Sequence, residues 1–134
     1  MFAVDREVVP NPDGLATIIS KLSYLNPALS VSEDVPRVRP ESYVRVEHLG
    51  GSEASSGAFI VVSMSILCYA TSTGAARRMS DDLLAQIKSS QFSVWDNVQI
   101  RAWTTDSLPH PFPDPVVTDR RRWQFVGSLG FSHL

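Results

Sequence analysis

Leu15, Ile18, Ile19, Leu22 and Leu25 recur at helical spacing within NPDGLATIISKLSYLNP and predict a first helix. Asn11 is placed to cap it, Pro12 suits its first position and Asp13 favours the positive end of its dipole. Asn26-Pro27 stops it. Residues 28–41, ALSVSEDVPRVRPE, hold two prolines and predict an extended connector. SYVRVEHL (42–49) then alternates as a strand does, GGSEASSG (50–57) predicts a flexible turn around Gly50 and Gly51, and a long strand follows from Ala58 to Tyr69. In that strand Ala58, Ile60, Val62, Met64, Ile66 and Cys68 share one face while Ser63 and Ser65 lie on the other, so one sheet face is packed and the other wetter.

The second half repeats the pattern. After TSTG, with Thr73 as N-cap, Ala76, Met79, Leu83, Leu84 and Ile87 form the apolar stripe of a second helix. VQIRAWTT (98–105) alternates again, with Val98, Ile100 and Ala102 on one side and Gln99, Arg101 and Trp103 on the other. SLPHPFPDPVVTD (107–119), which contains Phe112, holds four prolines and is excluded from helix and from central strand. TDRRRWQFVGSLGF (118–131) closes the chain as a half-buried strand, with Trp123, Phe125, Leu129 and Phe131 on one face. The order helix, strand, strand, helix, strand, strand predicts one α+β domain over residues 1–134: a mainly antiparallel four-stranded sheet, αββαββ, with both helices on one face and long loops.

Composition narrows the class without naming a function. A chain of 134 residues, 43% hydrophobic and 19% charged, suits one globular domain. A net charge of -2 argues against a general nucleic-acid-coating protein. The arginines outnumber the lysines ten to two, a bias that coding composition or interface chemistry would each produce. One cysteine, Cys68, excludes an intramolecular disulfide framework and reads as a small hydrophobe in an apolar run. The N-terminus lacks the apolar core of a signal peptide, and the longest apolar stretch, AFIVVSMSILCYA, is too short for a membrane span, so synthesis and folding in a cytoplasm are expected.

No convergent chemistry stands out. His48, His110 and His133 have no partner at metal-ligand spacing, and HPFPD offers only His110 and Asp114. GGSEASSG lacks the GK[ST] ending of a phosphate loop, and no G-x-S-x-G elbow is present. Asp81-Asp82 and Glu33-Asp34 read as solvated charge. Interaction surface remains. Trp103, out of phase with Val98, Ile100 and Ala102, either faces outward beside Arg101 as an interface pair or is covered within the monomer. Arg120, Arg121 and Arg122 alternate in direction if the strand begins this early, and would fan out together if they are still loop.

With this layout the chain resembles the tail terminator proteins of long, non-contractile-tailed bacteriophages, particularly those of actinobacteria. The resemblance rests on the opening helix DGLATIISKLSYL, on PRVRPESYVRVEHLGG, on FIVVSMSILCYATSTGAARRMSDDLLAQI, and on PDPVVTDRRRWQFVGSLGF. It implies a virion protein without catalytic, cofactor or metal site: a homo-oligomeric ring, usually hexameric, that caps the head-proximal end of the tail tube. Such a ring stops polymerisation of the tail tube protein and offers the head-completion or neck protein its attachment surface. DNA passes through its channel without sequence-specific binding. The resemblance also implies assembly in the host cytoplasm and no membrane partner. On this reading the 50–57 loop with Gly50 and Gly51, the Pro-rich loop with Phe112, and Arg101, Trp103, Arg120, Arg121 and Arg122 are the candidate interface residues. Subunit or partner contacts are favoured over the DNA channel for the arginine triplet, with a plainly solvated strand end as the remaining reading. A neck connector of the same virion, or a small enzyme or ligand-binding domain using a cleft near His48 and His110, are the alternatives.

Overall fold

The computed structural model describes residues 10–54 and 58–134. Helix α1 runs Gly14–Leu25 and α2 runs Thr73–Ser89. The strands are β1 (Ser30–Ser32), β2 (Tyr43–Glu53), β3 (Ile60–Ala70), β4 (Ser93–Trp95), β5 (Val98–Pro111) and β6 (Arg121–His133). They form one sheet in the order β1-β2-β3-β6-β5-β4, in which β1 pairs parallel with β2 and every other pair is antiparallel. The sheet curls into a half-barrel. The expected four-stranded antiparallel sheet is therefore corrected to a six-stranded mixed one. The two added strands have three residues each, too short for alternation to announce them.

Local chemistry explains the element ends. Asp13, not Asn11, caps α1: its Oδ1 accepts from the Ala16 amide at 2.9 Å. Asn11 instead donates to Glu53 Oε2 at 3.0 Å. Ser72, one residue before the expected Thr73, caps α2 through the Ala75 amide. The connector after α1 contains β1. The 50–57 loop is shorter than expected because β2 continues through Gly50 and Gly51 to Glu53; residues 55–57 of that loop lie outside the described residues.

Both helices cover one sheet face. Leu15, Ile18 and Leu22 of α1 and Leu83, Leu84 and Ile87 of α2 bury against Val44, Met64, Ile66, Phe125, Leu129 and Phe131. Two bulges decide which side chains join this core. Leu49 is the extra residue in β2, where the register slips between His48 and Gly50 and Gly50 takes a φ of 104°. Arg101 is the extra residue in β5, between Ile100 and Ala102. The strand's phase inverts there, so Val98 and Ile100 point into the core and so does Trp103. β5 then runs on through Pro109 and Pro111, beyond the expected end at residue 105. β4 pairs only with residues 98–100, so these prolines sit on a stretch of β5 whose outer side meets no strand among the described residues, where a missing N–H costs no ladder bond.

Candidate interface around the arginine triplet

On the sheet face away from the helices, Tyr43, Leu67, Tyr69 and Val117 make a second, small cluster, with Val35 packed against it. Tyr43 and Tyr69 stack with ring centroids 4.4 Å apart. Val35 comes from the connector before β2 and Val117 from the loop before β6, so both long loops fold back here. The odd positions of β3 after Ser65 turn apolar, which is the signal in the sequence for this second packed patch.

The arginine triplet organises these loops. Arg122 Nη1 stands 3.3 Å from Asp114 Oδ2, with the two side chains only 9% and 10% exposed. Its Nε donates to the Phe112 carbonyl at 2.6 Å, Nη2 to the Pro113 carbonyl at 3.2 Å and Nη1 to the Tyr69 hydroxyl at 3.1 Å. Tyr69 in turn donates to Asp114 Oδ2 at 2.7 Å, while Asp114 Oδ1 accepts from the Val116 and Val117 amides. Burial works against ionisation of Asp114, but the Tyr69 hydrogen bond, the two amides and Arg122 together outweigh it and hold the carboxyl below the usual carboxylate range. Arg122 thus fastens the Pro-rich loop to β3.

Arg120 fastens the other loop. It donates to the carbonyls of Pro40 (2.9 and 3.2 Å) and Arg39 (3.3 Å), and pairs with Asp119 at 3.0 Å. Arg39 reaches the same Asp119 oxygen at 3.4 Å. Two of the three consecutive arginines therefore make contacts within the chain. Arg121 is exposed, and no carboxylate lies within ion-pair distance of it among the described residues. It points with Trp123 to the helix side of the sheet, where Arg77 of α2 lies 5.9 Å from the Trp123 ring.

The other candidate residues scatter. Trp103 is 7% exposed, edge-on to Phe125, and its indole donates to Thr105 Oγ1 at 2.9 Å. It sits directly over Gly127, where a Cβ would collide with the ring. Covered within the monomer, it is no outward partner for Arg101. Arg101 is exposed, bonded to Ser132 Oγ and Gln99 Oε1. Gly50 and Gly51 lie at the far end of β2, so they do not join the arginines. Phe112, 44% exposed, lies under the Arg122 guanidinium at 4.8 Å and is the one apolar candidate placed beside them.

Side chains weighed for chemistry do not converge either. His48 on β2 and His110 on β5 are separated by β3 and β6. His110 bonds to Leu108 O and Ser107 Oγ in its own strand and to the Gln124 amide across on β6, and Asp114 is engaged by Arg122. Among the described residues no three His, Cys, Asp or Glu side chains gather closely enough to hold a metal ion. Burial pushes the Cys68 thiol up to about 12, against a weaker pull from Ser80, which leaves it protonated and unreactive. No helix among the described residues is long and apolar enough to cross a membrane. Asp114, Tyr69, Asp119 and the Arg39–Pro40 carbonyls were not legible as partners of the triplet, because each lies far from it in sequence or in a loop whose path the sheet decides. Comparison of the chain with protein-family models and with curated proteins finds no match to either.

Proposed function

We propose that this chain is a structural virion protein, a tail terminator that closes into a ring on the head-proximal end of a phage tail tube, stops tube growth and presents the surface for head or neck attachment. The observation that carries the reading is the unlikeness of the two flanks of the sheet. Among the described residues, the outer side of β2 is paired only at residues 43–45, in parallel with β1, and the outer side of β5 only at 98–100, antiparallel with β4. Among the described residues each flank therefore presents its own strand edge, one next to a parallel pair and the other next to an antiparallel pair. Two unlike flanks on opposite sides of a subunit suit a heterologous, head-to-tail contact, the kind that closes into a ring by rotation. The sequence resemblance to tail terminators points the same way. The two Pro-rich loops held on the face away from the helices add a rigid surface for a third partner.

The test is tube growth. Tail tube protein of the same virion, polymerised with the full chain, is expected to yield shorter tubes bearing extra density at one end in electron micrographs. Tubes of unchanged length with bare ends would overturn the assignment, and binding to DNA-filled heads without binding to tubes would move the protein to the neck connector.

A further inference from the structure

Charge is unevenly distributed over the surface. Arg39, Arg77, Arg78, Arg120, Arg121 and Arg122 gather around the β6 entry and the start of α2, with Asp114 and Asp119 among them, Glu41 beside the Pro40 carbonyl that Arg120 binds, and Asp81 and Asp82 one turn along α2. Asp114 and Asp119 are already engaged by arginines. Arg77, Arg78 and Arg121 are left without a carboxylate within ion-pair distance among the described residues; Asp81 and Asp82, one turn along α2, pair with neither helix arginine. Beside them is a pocket of about 310 Å³ walled by Pro111, Pro113, Val117, Arg121 and Trp123. Its aromatic and proline walls set the free guanidinium of Arg121 beside low-dielectric surface, which strengthens attraction for an incoming anion.

The β2 side carries exposed carboxylates, with Arg45, itself paired with Glu47, donating to the Glu33 carbonyl. Between the start of α1 and β2 a groove of about 500 Å³ is lined by Asp13, Glu33 and His48. Glu53 borders the adjoining hollow, brought to the α1 side by the Leu49 bulge. Asp13, Glu33 and Glu53 are exposed, and none forms an ion pair among the described residues. Apart from Arg39, which precedes β2, the basic groups lie at the β6 entry and on the start of α2, and the acidic groove lies between α1, the end of β1 and the far end of β2. One molecule carries both halves of a complementary pair on surfaces that do not overlap.

We infer that the basic surface made by Arg121 at the Trp123 pocket and by Arg77 and Arg78 on the neighbouring turn of α2 receives the acidic surface of a second copy of this chain, made by Asp13 and Glu33 in the groove and Glu53 in the adjoining hollow, and that this contact orients the head-to-tail ring. The inference rests on the ring reading for its partner. It also gives the arginine triplet a divided role: Arg120 and Arg122 build the subunit, and Arg121 joins it to the next. A nucleic-acid phosphate backbone is the rival occupant of the same guanidinium groups. The pocket is less suited to it, because a sequence-independent backbone site is an extended basic track, whereas these arginines flank one end of the sheet.

A charge swap tests the contact in the purified full chain by light scattering. The wild type is expected to associate at low salt and to lose at least about tenfold in affinity at high salt, where screening is short-ranged. Arg77→Glu with Arg121→Glu, and separately Glu33→Arg with Glu53→Arg, are each expected to leave a folded monomer with an unchanged circular dichroism melt. Mixing the two variants restores association, because each supplies the half the other lacks. The contact is overturned by a wild type that stays monomeric at low salt, by arginine variants that assemble like the wild type, or by a mixture that stays monomeric. Wild-type assembly that persists in the arginine variants while retention on a DNA column is lost assigns the pocket to nucleic acid and overturns it as well. A charge-swappable ring that leaves tube length unchanged keeps the contact and removes only the tail terminator assignment.

Discussion

The two faces of the sheet are held by different physics. On the helix side the contacts are apolar and distributed: Phe125, Phe131, Met64 and Ile66 have no exposed surface and interlock with both helices. On the opposite side four clustered residues are too few to hold two long loops, and an ion pair takes over. The apolar side tolerates no charge and needs shape. The loop side needs the carboxylates of Asp114 and Asp119 and the guanidinium groups of Arg39, Arg120 and Arg122 in register, and its Asp114–Arg122 lock works only while Asp114 is ionised.

The sharpest way to break the contrast is to attack each face in turn. Phe125→Ala opens a cavity under both helices and should cost about 3–5 kcal/mol in urea unfolding, with little dependence on pH. Asp114→Asn leaves the Arg122 guanidinium part-buried and without its counter-charge, at a cost of about 2–4 kcal/mol near neutral pH. The sign with pH follows from the depressed carboxyl. Its stabilisation is complete above the unfolded aspartate value of about 3.9 and is lost as pH falls through the lower folded value. Wild type should therefore lose stability on acidification below that range, and the Asn variant should lose less; parallel acid limbs would mean that Asp114 is not the group that locks the loop. Smallest of all, Arg121→Ala should change stability by no more than about 0.5 kcal/mol, since no contact within the described chain depends on it. A loss as large as that of Asp114→Asn would make Arg121 another internal fastener and erase its difference from Arg122.

Much of the helix side was readable from the chain. Leu15 to Leu22, Ala76 to Ile87 and the alternation of β3 and β6 each carry their own periodicity, and burial follows periodicity wherever an element is long and its register uninterrupted. Trp103 shows where this stops. Its phase relative to Ile100 predicts one face, and a single inserted residue, Arg101, sends it to the other. A bulge is set by what the neighbouring strand offers, here Gly127, whose missing side chain leaves room for the indole.

Local sequence thus determined the helices, the long strands, the apolar faces and the concentration of arginine before β6, because spacing and side-chain type act over a few residues. Only the tertiary structure decided that β1 and β4 extend the sheet to six strands, that Trp103 is core, and that three adjacent arginines do different work. Those outcomes depend on Asp114, Tyr69 and Pro40, which the chain brings to Arg120 and Arg122 only once the sheet has formed.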